Sequence, residues 1–234
     1  KKATSTFGSE NIPSIIEIYD NLFSLIDLNI EYFEKFLKEA EKEYKQYELI
    51  RRDAIQQEDD ISIPFGRFFR NLNSEYDFET QSKTPEANST ADIGVIAKKY
   101  SKHRVICFVE AKRLPTPSGN NREETEYVCY KAISKQGGIE RFKTERHAGK
   151  EKLNKSIMLG YIQQNNSTQW ISTINSWIEN EIQSATNTNI IWRQEDKLIK
   201  DNLFSKPKIT KLNSVHSRIS LPKINITHYW IDLN

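Results

Sequence analysis

Three side chains hold most of the chemical potential of this sequence: Asp92, Glu110 and Lys112. The last two close the run VICFVEAK (105–112), in which five apolar residues lead into an acid, a small residue and a base. In a strand, residues i and i+2 share a face, so Glu110 and Lys112 point the same way and Ala111 points to the other side. Both faces of 105–109 are apolar, which predicts a central, covered strand. A charged pair at the end of such a strand is costly unless something outside the strand satisfies it.

Asp92 supplies that partner. It lies on the apolar run ADIGVIA, and the polar stretch KKYSKHR (98–104) separates the two runs. If they form an antiparallel hairpin turning about residue 101, then residues 92 and 110 are equidistant from the turn and oppose one another. Directly opposed side chains have Cβ atoms ~5 Å apart. Two carboxylates there would repel and raise each other's pKa. A divalent cation reverses that logic, because oxygen ligands at ~2.1 Å suit Mg²⁺. Lys112, one pleat further on, would stand beside the metal without ligating it. A bulge in the hairpin would shift this register by one residue.

These residues need elements to position them. Residues 14–57 contain no Gly or Pro, and apolar residues recur at Ile15, Tyr19, Leu22, Ile26, Ile30, Phe33, Leu37, Ala40, Tyr44, Tyr47, Ile50 and Ala54. Spacings of three and four mark one helical face. The stretch reads as one long helix or as a hairpin broken near Asp27-Leu28-Asn29, serving packing or dimerisation. A second helix is expected over Pro64–Leu72, after the acidic cluster Glu58-Asp59-Asp60. Strands are expected at Tyr76–Ser82, over ADIGVIA, over VICFVEAK and over 156–164. Residues 115–122 read as a loop, Glu123 to about Ser134 as helix, and Ile139 to about His147 as another after Gly137-Gly138. Trp170, Ile171, Ile174, Trp177, Ile178 and Ile182 define an amphipathic helix. The tail holds two strand candidates, near 208–219 and 223–233. The order predicts a mixed α/β protein with a central sheet flanked by helices. It divides into an N-terminal helical segment (1–57) and an α/β domain (58–234).

The chain of 234 residues is 37% hydrophobic and 28% charged, as a globular protein should be. No apolar run approaches the ~18 residues of a membrane helix. The start, KKATSTFGSE, lacks both Met and the apolar stretch of a signal peptide, so it reads as a trimmed or partial chain. Cys107 and Cys129 have no metal-type spacing and read as reduced thiols of a cytoplasmic protein. A net charge of +2 does not demand a nucleic-acid partner, so any such surface must come from local clustering. The four histidines form no HExxH motif, which argues against a zinc enzyme. Neither a phosphate-binding GxxxxGK[ST] loop nor a GxSxG elbow is present.

Asp92, followed eighteen positions later by Glu110-Ala111-Lys112 on an apolar strand, resembles the PD-(D/E)xK nuclease superfamily, which includes many restriction endonucleases and DNA-repair nucleases. The resemblance covers roughly residues 48–164. One departure is Ala91, where the pattern has Pro. The resemblance implies a restriction-endonuclease-like core and a Mg²⁺-dependent DNA endonuclease, with Mn²⁺ as the other candidate ion, acting in restriction or phage defence. Asp92, Glu110 and the Ala111 carbonyl would hold the metal. Lys112 would orient or deprotonate the attacking water and stabilise the phosphorane-like transition state. Family members often add a helical Glu, for which Glu58 is the candidate and Asp59, Asp60 and Glu48 are rivals. The same acids also suit a helix N-terminus. Gln81 matches a polar position near the site. The other reading is a non-catalytic nucleic-acid or protein-binding module on the same fold.

Further cations offer phosphate contacts. QGGIERFKTERHAGK (136–150) brings Gln136, Arg141 and Lys143 after a Gly pair. The tail stretch KPKITKLNSVHSR adds Lys208, Lys211 and Arg218, which would line a DNA groove or blunt an edge strand.

Overall fold

The computed structural model describes residues 14–39, 58–73, 75–84, 89–99, 104–117, 122–130, 136–149, 151–184 and 190–234. Helix α1 (Ile15–Asn29) opens on a capping box: Ser14 Oγ accepts from the Glu17 amide at 3.3 Å, and the Glu17 carboxylate accepts from the Ser14 amide at 2.6 Å. A 3₁₀ turn (Ile30–Tyr32) follows, and residues 33–39 are helical again. The irregularity falls next to the expected break at Asp27–Asn29, but up to residue 39 the chain tightens and continues instead of reversing. The predicted face is buried at Tyr19, Leu22, Ile26, Ile30, Phe33 and Leu37, whereas Ile15 is 52% exposed. Residues 40–57, which carry the rest of that pattern and Glu48, lie outside the described residues.

Helix α2 spans Glu58–Leu72, so it takes in the acidic cluster and carries Pro64 inside it instead of starting there. The backbone of Glu58, Asp59 and Asp60 forms its first turn, where acids oppose the helix dipole. Next come strands β1 (Tyr76–Thr84), β2 (Ser89–Ala97) and β3 (Val105–Leu114). Among the described residues, the helix expected from Glu123 is a 3₁₀ turn, Glu124–Tyr127, and residues 131–135 lie outside them. Beyond it the backbone serves helix α3 (Gly138–Lys143): the Val128 carbonyl accepts from the Glu140 amide, and the Tyr130 amide donates to the Glu140 carboxylate. Strand β4 (Lys155–Ile162), helix α4 (Ser167–Gln183), a 3₁₀ turn (Gln194–Asp196) and strands β5 (Ile199–Lys200), β6 (Ile209–His216) and β7 (Ile224–Asp232) complete the described elements.

The strands make one seven-stranded sheet in the order β1-β2-β3-β4-β7-β6-β5. β1, β2 and β3 are antiparallel, β4 runs parallel to both β3 and β7, and the β7–β6–β5 edge is antiparallel again. A mixed α/β architecture is therefore what the sequence folds into. The alternation of β3 sorts its side chains: Cys107, Val109 and Ala111 join the layer under α1 and α2, while Phe108 and Leu114 join the layer under α3 and α4. Glu110 and Lys112 share the parity of the second set.

Helix α1 does not stand apart from the sheet. Phe33 packs edge-on to Phe65 of α2 at 5.2 Å between ring centroids. Tyr19 donates to the Ile106 carbonyl at 2.8 Å, and Tyr229 of β7 donates to Asp27 at 2.6 Å. The described part of the N-terminal segment thus shares one core with the domain it was expected to flank. Among the described residues, no helix is long and apolar enough to cross a membrane.

Candidate active site

β2 and β3 pair at Ile93–Val109, Gly94–Phe108 and Val95–Cys107. Each pair is equidistant from residue 101, so the register points to Asp92 opposite Glu110. A bulge does exist, at Ile96–Val105, but it lies on the turn side and leaves the far end in step. The ladder with β2 stops at Val109, and from there β3 continues against β4, pairing Glu110 with Met158 and Lys112 with Gly160. Where β2 parts from β3, the half-buried Asp92 takes over: its Oδ2 accepts from the Ala111 amide at 2.6 Å. β1 brackets the same place, since Thr80 pairs with Ile93 and Ser82 with Ala91, setting the Gln81 backbone across from Asp92.

Glu110 is fully buried and faced by three basic side chains. Lys112 Nζ lies 2.9 Å from its Oε1, Arg141 Nη1 lies 2.5 Å from the same oxygen, and His147 Nε2 lies 3.1 Å from Oε2. Burial alone would push this carboxyl up, but Lys112, His147 and Arg141 outweigh it and hold it well below the usual carboxylate range. Glu110 is therefore an anion at neutral pH.

Lys112, 3% exposed, also donates to the Ala111 carbonyl at 2.9 Å, and it lies 3.9 Å from Glu126 on the 3₁₀ turn. Glu126 is gripped by Arg122 through two contacts, at 2.9 and 3.1 Å. Burial opposes its ionisation, yet Arg122 and Lys112 keep its pKa below the ordinary value.

The Ala111 carbonyl and Glu110 Oε1 converge on one cation, the Lys112 ammonium, and the Asp92 carboxylate lies against the same peptide. Two carboxylates and a carbonyl suit Mg²⁺, which takes one or two carboxylates and keeps several waters. Among the described residues, no three His, Cys, Asp or Glu side chains are grouped to hold an ion of any kind.

The other expected residues divide. Arg141 joins the site through Glu110, and Gln136 supports Arg141, its carbonyl accepting from Arg141 Nε at 3.1 Å. Gly137 serves packing and does not present a free amide: a Cβ there would lie 2.5 Å from the Cys129 backbone, and its amide donates to Glu140. Lys143, two residues from Arg141, turns elsewhere; it is 1% exposed and bonded to Asp196 at 2.7 Å. Lys211 and Lys208 pair with Asp27 of α1 and Glu34, on the α1 side of the sheet. They are thus not brought together with Glu110. Arg218 holds the Leu153 and Pro222 carbonyls. The Glu58 and Gln81 side chains lie outside the described ones.

Glu126, Arg122 and His147 were not among the expected site residues. His147 had a signal, a lone histidine in a basic stretch, but nothing local ties it to a residue 37 positions earlier. The histidines also prove less scattered than their spacing implies. Asp196, His216, Ser214, His228 and Tyr127 form one buried chain, with successive contacts of 2.6, 2.6, 2.7 and 2.8 Å. Lys143 begins it at Asp196, and Trp230 donates to Tyr127 at its other end. The chain ends next in sequence to Glu126, so it anchors the turn that faces Lys112.

No family model, curated protein or solved structure matches the chain.

Proposed function

We propose that the protein is a metal-dependent nuclease of the PD-(D/E)xK kind, hydrolysing phosphodiester bonds in DNA. The observation that carries this reading is the meeting of Asp92, the Ala111 peptide, Glu110 and Lys112 at the point where β2 leaves β3. Further support is the order α2, three antiparallel strands, α3 and a parallel strand, over residues 58–162.

Asp92, Glu110 and the Ala111 carbonyl would hold Mg²⁺. When bound, it would lower the pKa of a water and neutralise charge on the phosphate. The side chains divide the remaining work. Glu110 stays ionised because Lys112, His147 and Arg141 face it. The Lys112 ammonium orients the attacking water and stabilises charge that develops on the phosphoryl oxygens. Arg141, the most exposed of the Glu110 partners, offers a guanidinium to the phosphate next to the cleaved bond.

One observation favours the second reading, a binding module that does not cut. Both Glu110 oxygens already have partners in a fully buried position, Lys112 and Arg141 on one and His147 on the other, as in a structural ion cluster. The test is incubation of supercoiled plasmid and phage DNA with the protein, in Mg²⁺ or EDTA. Metal-dependent cutting lost in Asp92→Ala is the expected result. Cutting that persists in this variant would overturn the site, and no cutting of any DNA or RNA would favour the binding module.

A further inference from the structure

A cavity of about 390 Å³ opens beside the C-terminal end of α3, away from Asp92 and Glu110. It falls within the range of ligand pockets, ~300–1,000 Å³. Four cations line it: Lys143, Arg193, Arg218 and Lys223. Two are compensated, Lys143 by Asp196 and Lys223 by Glu195, each at 2.7 Å. Arg193 is not, and Arg218 is compensated only in part, through the field of Glu145. Among the described residues Arg193 makes no ion pair, and Arg218 donates only to carbonyls, those of Ala148, Leu153 and Pro222. Its Nη2 is buried without a hydrogen-bond partner, so the hydrogen-bonding capacity of the guanidinium is not fully used.

The walls are of a different character. Ile191 and Ile219 line the cavity yet remain 60% and 54% exposed, among the most exposed large apolar side chains described. Guanidinium forks match phosphate geometry, and exposed isoleucines suit a flat apolar body. We propose that this cavity binds a nucleoside monophosphate, either free or as the terminal nucleotide of a strand, with its phosphate at Arg193 and Arg218 and its base against Ile191 and Ile219. Binding here does not depend on the nuclease reading, since cutting is assigned to Asp92, Glu110 and Lys112.

Isothermal titration with deoxyadenosine monophosphate, deoxyadenosine, inorganic phosphate and a 5′-phosphorylated single-stranded oligonucleotide tests it. The monophosphate or the oligonucleotide should bind at least about tenfold more tightly than phosphate or nucleoside alone. Arg193→Gln, an exposed change that spares the fold, should weaken binding about tenfold or more, as should Ile219→Asp, while Lys112→Met leaves it intact. Preference for the free monophosphate marks a free ligand, and preference for the oligonucleotide marks a strand end; either supports the site only where Arg193→Gln weakens it, since oligonucleotide binding that ignores Arg193 belongs to the Glu110 site. Absence of binding, equal binding of phosphate, indifference to Arg193→Gln, or loss in Lys112→Met would each overturn it.

Discussion

Replacing Lys112 by Met keeps the unbranched stem and removes only the charge, so the variant separates a catalytic lysine from a structural one. The structural cost follows from what Glu110 keeps. Breaking a buried pair by deleting one partner costs ~3–5 kcal/mol when nothing replaces it. Here Arg141 at 2.5 Å and His147 at 3.1 Å remain on the carboxylate. The Ala111 carbonyl loses one donor, worth about 1 kcal/mol. A net loss of about 2 kcal/mol is expected, and a Tm drop of about 4–8 °C for a chain of this size. The catalytic cost is of another order: removing one preorganised donor to a developing oxyanion lowers turnover ~10²–10³-fold. Circular dichroism melting and nicking of supercoiled plasmid, run on the same preparations, give both numbers. Lys112→Met cutting at the wild-type rate at 25 °C would refute the role of the ammonium. A Tm drop beyond about 15 °C would refute the claim that Arg141 and His147 hold Glu110 without it.

Two predictions concern the frame around the site. Gly137→Ala places a Cβ 2.5 Å from the Cys129 backbone, so α3 must shift; about 3 kcal/mol should be lost, and urea denaturation that moves by less than about 0.5 kcal/mol would refute the contact. Burial holds the His216 and His228 imidazoles below their ordinary value of 6.5, so near that pH the unfolded chain binds more protons than the folded one. Stability should therefore be flat above about pH 7 and fall as the pH drops below about 6.5. Glu110, whose folded pKa is depressed, adds a second loss below its unfolded value of 4.5. Tm measured from pH 8 to 4 checks both steps, and a constant Tm between pH 7 and 5 would contradict the buried neutral histidines.

What the sequence revealed was local, and what it hid was distant. The face of α1 and the β2–β3 register are legible because each depends only on spacing within one element or across one turn. Counting outward from residue 101 reaches Asp92 and Glu110 because the bulge at Ile96 sits nearer the turn than either. Nothing in such counting can insert β7 between β4 and β6, since that strand order is decided by burial on both faces of β4. The same limit explains His147, Glu126 and the Asp196–His216–Ser214–His228 chain, which joins a 3₁₀ turn, β6 and β7. The helix expected over Glu123–Ser134 fails for a related reason. The Val128 carbonyl accepts from the Glu140 amide and the Cys129 backbone packs against Gly137, and that tertiary demand overrides local propensity.

Lys143 shows where local reasoning had more to give. Arg141 and Lys143 stand two residues apart, and side chains at i and i+2 of a helix do not share a face. Both could not have served one phosphate-binding surface, whatever the rest of the fold. The structure turns that geometric rule into a division of labour along α3: Arg141 reaches Glu110, and Lys143 reaches Asp196 and the cavity beyond it. One short helix thus contributes a cation to each of two places. A change that displaces α3, such as a side chain at Gly137, should disturb the Glu110 cluster and the cavity together, whereas Arg193→Gln should disturb the cavity alone.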